Sequence, residues 1–368
     1  MTLTIENLER AHQGFYVPAY QILVDGKDLL RQWYMEIASV QVDITLKGAD
    51  RFSFTVNSAF NFEQREFEHL KDLTGVFAFG KPVEINLGYK DSGGLSPMLR
   101  GKITSVQTSF PASGLPQITV GGYDHSYCMT IGKGQKPHSW ANKKDSEIVA
   151  EVARQYGLTP VVEDTRVKHP VTERGQGSDM QFLEKLAERN GYELYVVDTT
   201  LYFRPPAYKD EAVVSLEWGK GLVSFSPEVK ISEQVSKVEV RGWDVNSKKE
   251  IVGKASRGEE PGRDPGRQSG PELLAMACPE KSELKVRVPV FSQQEADRRA
   301  EALLKKRSEL FVKGNGESIG MPEIRVDKNI KLLGIGKLFS KTYYVEQCTH
   351  TINNSGYKTT FQVKETTV

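Results

Sequence analysis

The sequence predicts a mainly β fold with an α/β insertion, in which two β units flank a small helical and hairpin domain. Three observations carry this. The first and last thirds alternate apolar and polar residues, the pattern of strands with one buried face. The middle, residues 136–208, switches to capped helical periodicity followed by a hairpin pattern. The order of elements in the first third returns in the last.

In the first third, Val40 to Leu46 places an apolar residue at every second position, and Phe52, Phe54 and Val56 continue after the turn formers Gly48, Ala49 and Asp50. Phe62 to Leu73 reads as a short helix with Phe67, Leu70 and Leu73 on one face and Gly75 as its stop. Strands are expected at Pro82 to Tyr89, Leu99 to Thr108 and Gln117 to Gly121, separated by the loop formers Ser92-Gly93-Gly94 and Ser113-Gly114. In the middle, Asp145 is a candidate cap for a helix carrying Ile148, Val152 and Tyr156, which ends at Gly157. Ser178 caps a second helix with Phe182, Leu183, Leu186 and Ala187 on one face and Gly191 as its stop. Tyr192 to Val197 and Leu201 to Arg204 then form a hairpin around Asp198-Thr199-Thr200.

In the last third, Leu222 to Val229, Val235 to Trp243 and Lys249 to Lys254 read as a meander. Arg257 to Pro271 holds glycines 258, 262, 266 and 270 and prolines 261, 265 and 271 among charges, a composition expected to form a long exposed loop. Gln293 to Leu310 is a helix with Ala296, Ala300, Leu303 and Leu304 as its stripe, and strands follow at Ile330 to Leu333, Tyr343 to Thr351 and Tyr357 to Lys364. Lys81 to Tyr89 and Asp327 to Ile335 hold corresponding places after a helix and before two strands. Either two units share one design or a β-rich chain echoes itself, and element order leaves both readings open.

The 368 residues suggest two to three domains. Lys and Arg number 49 against 48 Asp and Glu, a net charge of +1 that argues against a nucleic-acid coat and leaves a local basic patch open. At 38% hydrophobic and 26% charged, the chain reads as soluble and globular. Its longest notable apolar run, Leu273 to Cys278, is far short of the roughly 18 residues of a membrane helix, so no membrane insertion is expected. The first ten residues do not read as a secretory signal. Cys128, Cys278 and Cys348 are sparse and odd in number, as in a cytoplasmically made, reduced protein.

No catalytic, cofactor-binding or metal site is assigned. Gly132 to Lys136 lacks the spacing of a phosphate loop, and Pro137 stands where a helix should begin. Asp124, His125 and Ser126 hold the three residue types of a hydrolase triad, but neighbours on an extended chain point to opposite faces. Cys348 and His350 share a strand face yet lack two further metal ligands nearby. Tyr192, Tyr195, Tyr202 and Phe203 read as hairpin core rather than an aromatic binding face. The basic residues around the helix at 293–310 read as a solvated face rather than a nucleic-acid contact.

With these segments placed, the chain resembles the late control D family, hub proteins of contractile phage tails related to the hub half of type VI valine-glycine-repeat spike proteins. The run Ser178-Asp179-Met180-Gln181-Phe182-Leu183-Glu184-Lys185-Leu186-Ala187-Glu188-Arg189-Asn190-Gly191-Tyr192-Glu193, continuing to Leu201 to Pro205, is the most specific match. Leu99 to Val106 with Gly114-Leu115-Pro116 and Val120 to Asp124, and the helix at 293–310 with its following strands, extend it over nearly the whole chain.

The resemblance implies two tube-like β-barrel domains, at 1–135 and 209–368, around an α/β insertion at 136–208, with a long loop at 255–282. It implies a homotrimer whose six barrel units match a sixfold inner tube to a threefold central spike. The expected partners are the inner tube ring, the spike, and baseplate wedge or LysM-type hub proteins, with no cofactor. The expected place is the baseplate of a phage tail or contractile injection particle. The chain shows no oligonucleotide-binding fold, needle or lysozyme-like segment after its second β unit, so the spike is expected to be a separate protein. Two competing readings are a tail-tip cell-wall hydrolase and a carbohydrate-binding β protein.

Overall fold

The computed structural model describes all residues except 1, 13–14, 16, 58–59, 71–73, 91–93, 132–137, 245–247, 259–265 and 279–282. Strand makes up 49% against 19% helix, which fixes the class as mainly β. Helix α1 (Ile5–Ala11) precedes β1 (Pro18–Val24), β2 (Lys27–Asp28), β3 (Glu36–Thr45), β4 (Arg51–Asn57), β5 (Phe60–Asn61), β6 (Glu66–Phe67), β7 (Pro82–Tyr89), β8 (Ser96–Ser109) and β9 (Gln117–Asp124). The middle holds α2 (Tyr127–Thr130), β10 (His138–Lys144), α3 (Asp145–Gln155), β11 (Thr159–Val162), β12 (Lys168–Arg174), α4 (Asp179–Asn190), β13 (Glu193–Val197) and β14 (Thr200–Arg204). The last part holds β15 (Ala212–Trp218), β16 (Gly221–Val229), β17 (Lys237–Asp244), β18 (Lys249–Ser256), α5 (Gly270–Ala277), β19 (Glu283–Arg287), α6 (Gln293–Ser308), β20 (Val312–Ile319), β21 (Asn329–Leu333), α7 (Gly336–Phe339), β22 (Lys341–Asn353) and β23 (Gly356–Glu365).

Thirteen strands join in one sheet, ordered β2-β1-β7-β8-β9-β4-β3-β22-β21-β15-β16-β20-β23. A further β22–β23 ladder closes the last six into a mixed barrel, in which β15 runs parallel to both β16 and β21. Alternation does the folding. On β4, Phe52, Phe54 and Val56 are buried while Arg51, Ser53 and Thr55 are not. One apolar core runs from Ile22 and Phe54 to Tyr343 and Val363, so the first and last parts share it.

The echo in element order is a repeat in strand order. Neighbours in the first part run β1-β7-β8-β9-β4-β3 and in the second β15-β21-β22-β23-β20-β16, so each strand meets its counterpart in chain order. Irregularities repeat as well. The register slips past Ala38 on β3 and past Val223 on β16, and past Thr104 on β8 and Glu346 on β22. Ile103 donates to the Lys81 carbonyl and accepts from the Gly80 amide, as Val345 does with Lys328 and Asp327. Bulges are placed features of a strand pair, so their coincidence selects shared design over a generic β pattern. Two differences remain. Among the described residues, no β1–β3 ladder closes the first unit, and β1 runs antiparallel to β7 where β15 runs parallel to β21.

The middle segment buries its own core of Trp140, Ile148, Val152, Leu183, Leu186, Leu201 and Phe203 between α3, α4 and the β11-β14-β13 sheet. Ser178 caps α4 as expected, its hydroxyl accepting from the Gln181 amide, and Gly191 ends the helix with φ of 65°. Asp145 is not the cap of α3. Lys144 holds that place, and Asp145 is the first helical residue, turned into the interior.

Three expectations change. No helix forms across the described part of 62–73. The turn around Arg65, at φ of 54°, joins β5 to β6, and Phe60 packs on Phe67 and Phe110 at 5.0 and 5.5 Å between ring centres. Of the residues that suggested a helix, Phe67 thus serves an aromatic cluster, and Leu73 lies outside the described residues. The three strands from 222 to 254 are not a meander: β16 belongs to the barrel, while β17 and β18 form a separate sheet with β19, packed under α6. The Gly- and Pro-rich stretch at 255–282 is not wholly loop. Residues 259–265 and 279–282 lie outside the described residues, but Ser269 is buried, bridges Thr367, and caps α5. One barrel strand, β20, runs through Lys313-Gly314-Asn315-Gly316, a stretch for which the sequence offered no reading. The Phe225 and Phe361 rings fill the space where a Cβ at Gly314 and Gly316 would stand.

Candidate functional site

Polar groups converge where the middle segment meets the barrel. The β13–β14 hairpin stacks Tyr195 on Tyr202 at 5.0 Å and aims the Tyr195 hydroxyl at Asp327, to which it donates at 2.6 Å. Arg204 pairs with the same carboxylate, and the Tyr344 hydroxyl lies within hydrogen-bond reach of both Asp327, at 2.9 Å, and Glu193. Beside them, Lys364 of β23 lies 3.1 Å from Glu193, 3.2 Å from Glu309 and 3.6 Å from Glu346. Lys305 sits 3.5 Å from Glu309 and donates to the Gly191 carbonyl. Burial works against the Lys364 charge, but Glu309, Glu193 and Glu346 outweigh it and hold its pKa above the ordinary lysine value. Burial also opposes the Glu309 charge, and Lys364 and Lys305 overcome it, holding that carboxyl below its ordinary value. Glu193 is pushed up by burial despite Lys364.

A second buried cluster joins α3, β12, α4 and α6. Asp145 accepts from Arg189 Nε at 2.8 Å and Asn190 Nδ2 at 2.6 Å, and His169 stands between Asp145 at 3.6 Å and Glu295 at 3.4 Å. The basic helix α6 therefore does not present a merely solvated face. Lys306 pairs with Glu188, Arg307 with Glu233 at 2.7 Å, and Arg298 donates to the Thr165 carbonyl. Much of its charge clamps the middle segment.

A cavity of about 240 Å³ lies between the three parts of the chain, lined by Asp50, Asp124, Arg100, Arg204 and Arg325. Burial pushes the Asp124 carboxyl up to about 7, although it accepts from the Ser126 hydroxyl at 2.6 Å and the Ser126 amide at 3.1 Å. Asp50 is pushed well up, by burial and then by Asp124. Within the 124–126 run the side-chain bond thus joins Asp124 to Ser126, the reverse of the wiring a triad needs. His350 is locked between Ile324 O at 3.0 Å, Tyr357 and Thr359, and burial drives its pKa down to about 3 and that of the Cys348 thiol up. Among the described residues no group of three or more His, Cys, Asp or Glu is placed to hold a metal. Gly132 to Lys136 lies outside the described residues. Tyr192 meets Phe203 at 5.1 Å beside the middle core. No helix among the described residues is long and apolar enough to cross a membrane.

The fold is shared with solved tail proteins. The prophage MuSo2 43 kDa tail protein from Shewanella oneidensis matches with a TM-score of 0.68 at 14% identity, over 94% of this chain and 98% of that one. The tail protein from Neisseria meningitidis MC58 matches at 0.68 and 13% identity, over 95% and 97%. The E. coli c3393 protein, described as a component of the type VI secretion system, matches at 0.55 and 10% identity, over 93% and 76%. No curated protein matches the sequence. A family model does, that of the Alg8 N-terminal domain, across residues 16–354. The chain therefore belongs to the Alg8 N-terminal domain family.

Proposed function

We propose that the protein is a structural hub in the baseplate of a contractile phage tail or injection particle, a homotrimer that joins a sixfold inner tube to a threefold central spike. The observation that carries this is the repeated six-strand order within one chain. Three copies of a doubled unit offer six like faces to a sixfold neighbour and threefold symmetry to another. The first unit, spanning 1–135, then acts as a second tube-like barrel beside the closed one of 209–368, with 136–208 as the insertion between them. The match in fold, over nearly their full length, to proteins described as tail proteins agrees. The inner tube ring, the spike protein, and wedge or LysM-type hub proteins are the partners, and no catalysis is assigned. The mass of the purified chain, alone and with its spike protein, tests the reading. A trimer is expected, and a monomer in both cases overturns it.

One observation favours a hydrolase instead: two protonatable carboxyls, Asp50 and Asp124, line one cavity. Peptidoglycan release by the purified chain, abolished by Asp124→Asn, would establish that alternative.

A further inference from the structure

Within the chain, the two units are joined by one ladder. β3 adds antiparallel to β22 with Ile44 opposite Cys348, Asp43 opposite Thr349 and Val42 opposite His350. On that edge of β22, β21 occupies residues 341–344 and β3 occupies 347–352. The counterpart of β22 is β8, whose same edge pairs with β7 only as far as Lys102. Past the bulge at Thr104, this edge of 105–110 carries no strand among the described residues. The counterpart of β3 is β16. Its inner edge pairs with β20 from Leu222 to Val229, but its outer edge meets β15 only at Gly221 and Leu222. One unit thus lacks the incoming strand and the other lacks the strand to receive it.

We propose that copies of this chain join edge to edge, the outer edge of β16 in one copy adding antiparallel to the edge of β8 from Ser105 to Ser109, and to Phe110 just beyond it, in the next. The shared bulges fix the register. Ala38 corresponds to Val223 and Thr104 to Glu346, which carries the β3·β22 ladder over as Val229 opposite Val106, Glu228 opposite Gln107, and Phe225 opposite Phe110.

The side chains suit this pairing. In the internal ladder, Ile44, Val40, Cys348 and Ile352 are all buried. Their counterparts include Val229 and Phe110, 37% and 63% exposed, so apolar residues stand in water where the copied ladder would cover them. Phe110 already packs against Phe60 and Phe67, which extends the surface the incoming strand would meet. The opposite face pairs polar with polar, Gln107 with Glu228 and Ser109 with Ser226, as Thr349 hydrogen-bonds Asp43 at 2.7 Å inside the chain.

Proline is the one defect. Lys230 donates inward to the Phe311 carbonyl, so by alternation the backbone of Pro227 faces the outer edge, and that ladder lacks one N–H donor. Proline is tolerated at this position of an edge strand, and its carbonyl remains available. The proposal rests on the hub reading for the number of copies only. Three copies joined this way would make one continuous belt of strands.

Cysteine pairing tests it in a Cys128→Ser, Cys278→Ser background. Gln107 and Glu228 are exposed and would face each other as a non-hydrogen-bonded pair, where the Cα spacing suits a disulfide. On oxidation with diamide, Gln107→Cys with Glu228→Cys is expected to give a covalent closed oligomer. Mixing the two single variants should give covalent dimers only. Asp43→Cys with Thr349→Cys, the equivalent internal pair, should close within one chain and serves as the positive control. Thr108→Cys with Glu228→Cys, one residue out of register, should cross-link far less. Native mass measurement separates the failures. A non-covalent trimer without the Gln107–Glu228 link overturns this strand pairing and leaves the hub reading standing. A monomer without the link overturns both.

Discussion

Lys364, on the last barrel strand, and Glu193, on the first strand of the middle hairpin, form a largely buried ion pair of 3.1 Å. The two residues are 171 positions apart, and Glu309 of the α6 end completes the group. Removing the lysine leaves two buried carboxylates without their principal cation. Lys364→Met is expected to cost about 3–5 kcal/mol in chemical denaturation, because uncompensated buried charge is more expensive than a buried pair is helpful. A loss below about 1 kcal/mol would mean that water reaches these carboxylates.

Asp124 predicts a pH dependence. Its carboxyl is raised from the ordinary 3.8 to about 7 by burial. An acid whose pKa is higher in the folded state than in the unfolded lets the folded state hold protons that the unfolded state releases. Its contribution is full below about pH 4 and is lost as pH rises through about 7. A factor of ten in a protonation equilibrium is worth ~1.4 kcal/mol, so ionising Asp124 costs on the order of 4 kcal/mol at pH 8. Asp124→Asn keeps an oxygen for Ser126 and should raise the melting temperature at pH 8 but not at pH 4. Parallel stability curves for the two proteins would count against it.

Leu186, on α4, lies buried in the middle core, the cluster that also holds Leu183, Leu194 and Leu201. Leu186→Asp is expected to cost roughly 3 kcal/mol or more, or to make the protein insoluble, since it buries an unpaired charge. Unchanged melting would place that helix face in water.

Gly253 marks the closest approach of β18 to α6. A Cβ there would lie 2.1 Å from the Ala296 carbonyl carbon, which is backbone and cannot rotate away. Gly253→Ala should therefore force the helix off the sheet, at about 1–3 kcal/mol. Amide exchange should quicken in α6 and β18 while the barrel strands keep their protection. Uniform loss of protection would mean that this sheet and the barrel unfold as one unit.

Most long strands were legible because period-two burial writes itself into the sequence, as at Phe52, Phe54 and Val56. α4 was legible to its ends, Ser178 and Gly191, because caps are local chemistry. β20 was not, because its two glycines make room for rings that arrive from Phe225 and Phe361, far away in sequence. The clamping role of α6 was hidden for the same reason: Glu188, Thr165 and Gly191 become partners of its basic residues only after folding. The strand order repeated without residue identity because hydrogen-bond register and bulges are backbone properties, which many side-chain choices satisfy.

The opposed directions of β1 and β15 carry a consequence for any assembly of this chain. Relative to the five strands that repeat with the same sense, the chain enters one unit from one end and the other unit from the opposite end. The middle segment precedes β15 directly, so it is attached at the end where the second unit begins. In a six-unit ring the five-strand faces would look alike at every step, while the attachments would alternate between top and bottom. A neighbour reading the strands would experience sixfold symmetry, and a neighbour reading the attachments would experience threefold. In such a ring the reversal of a single strand would mark off alternate units that the other five strands leave alike.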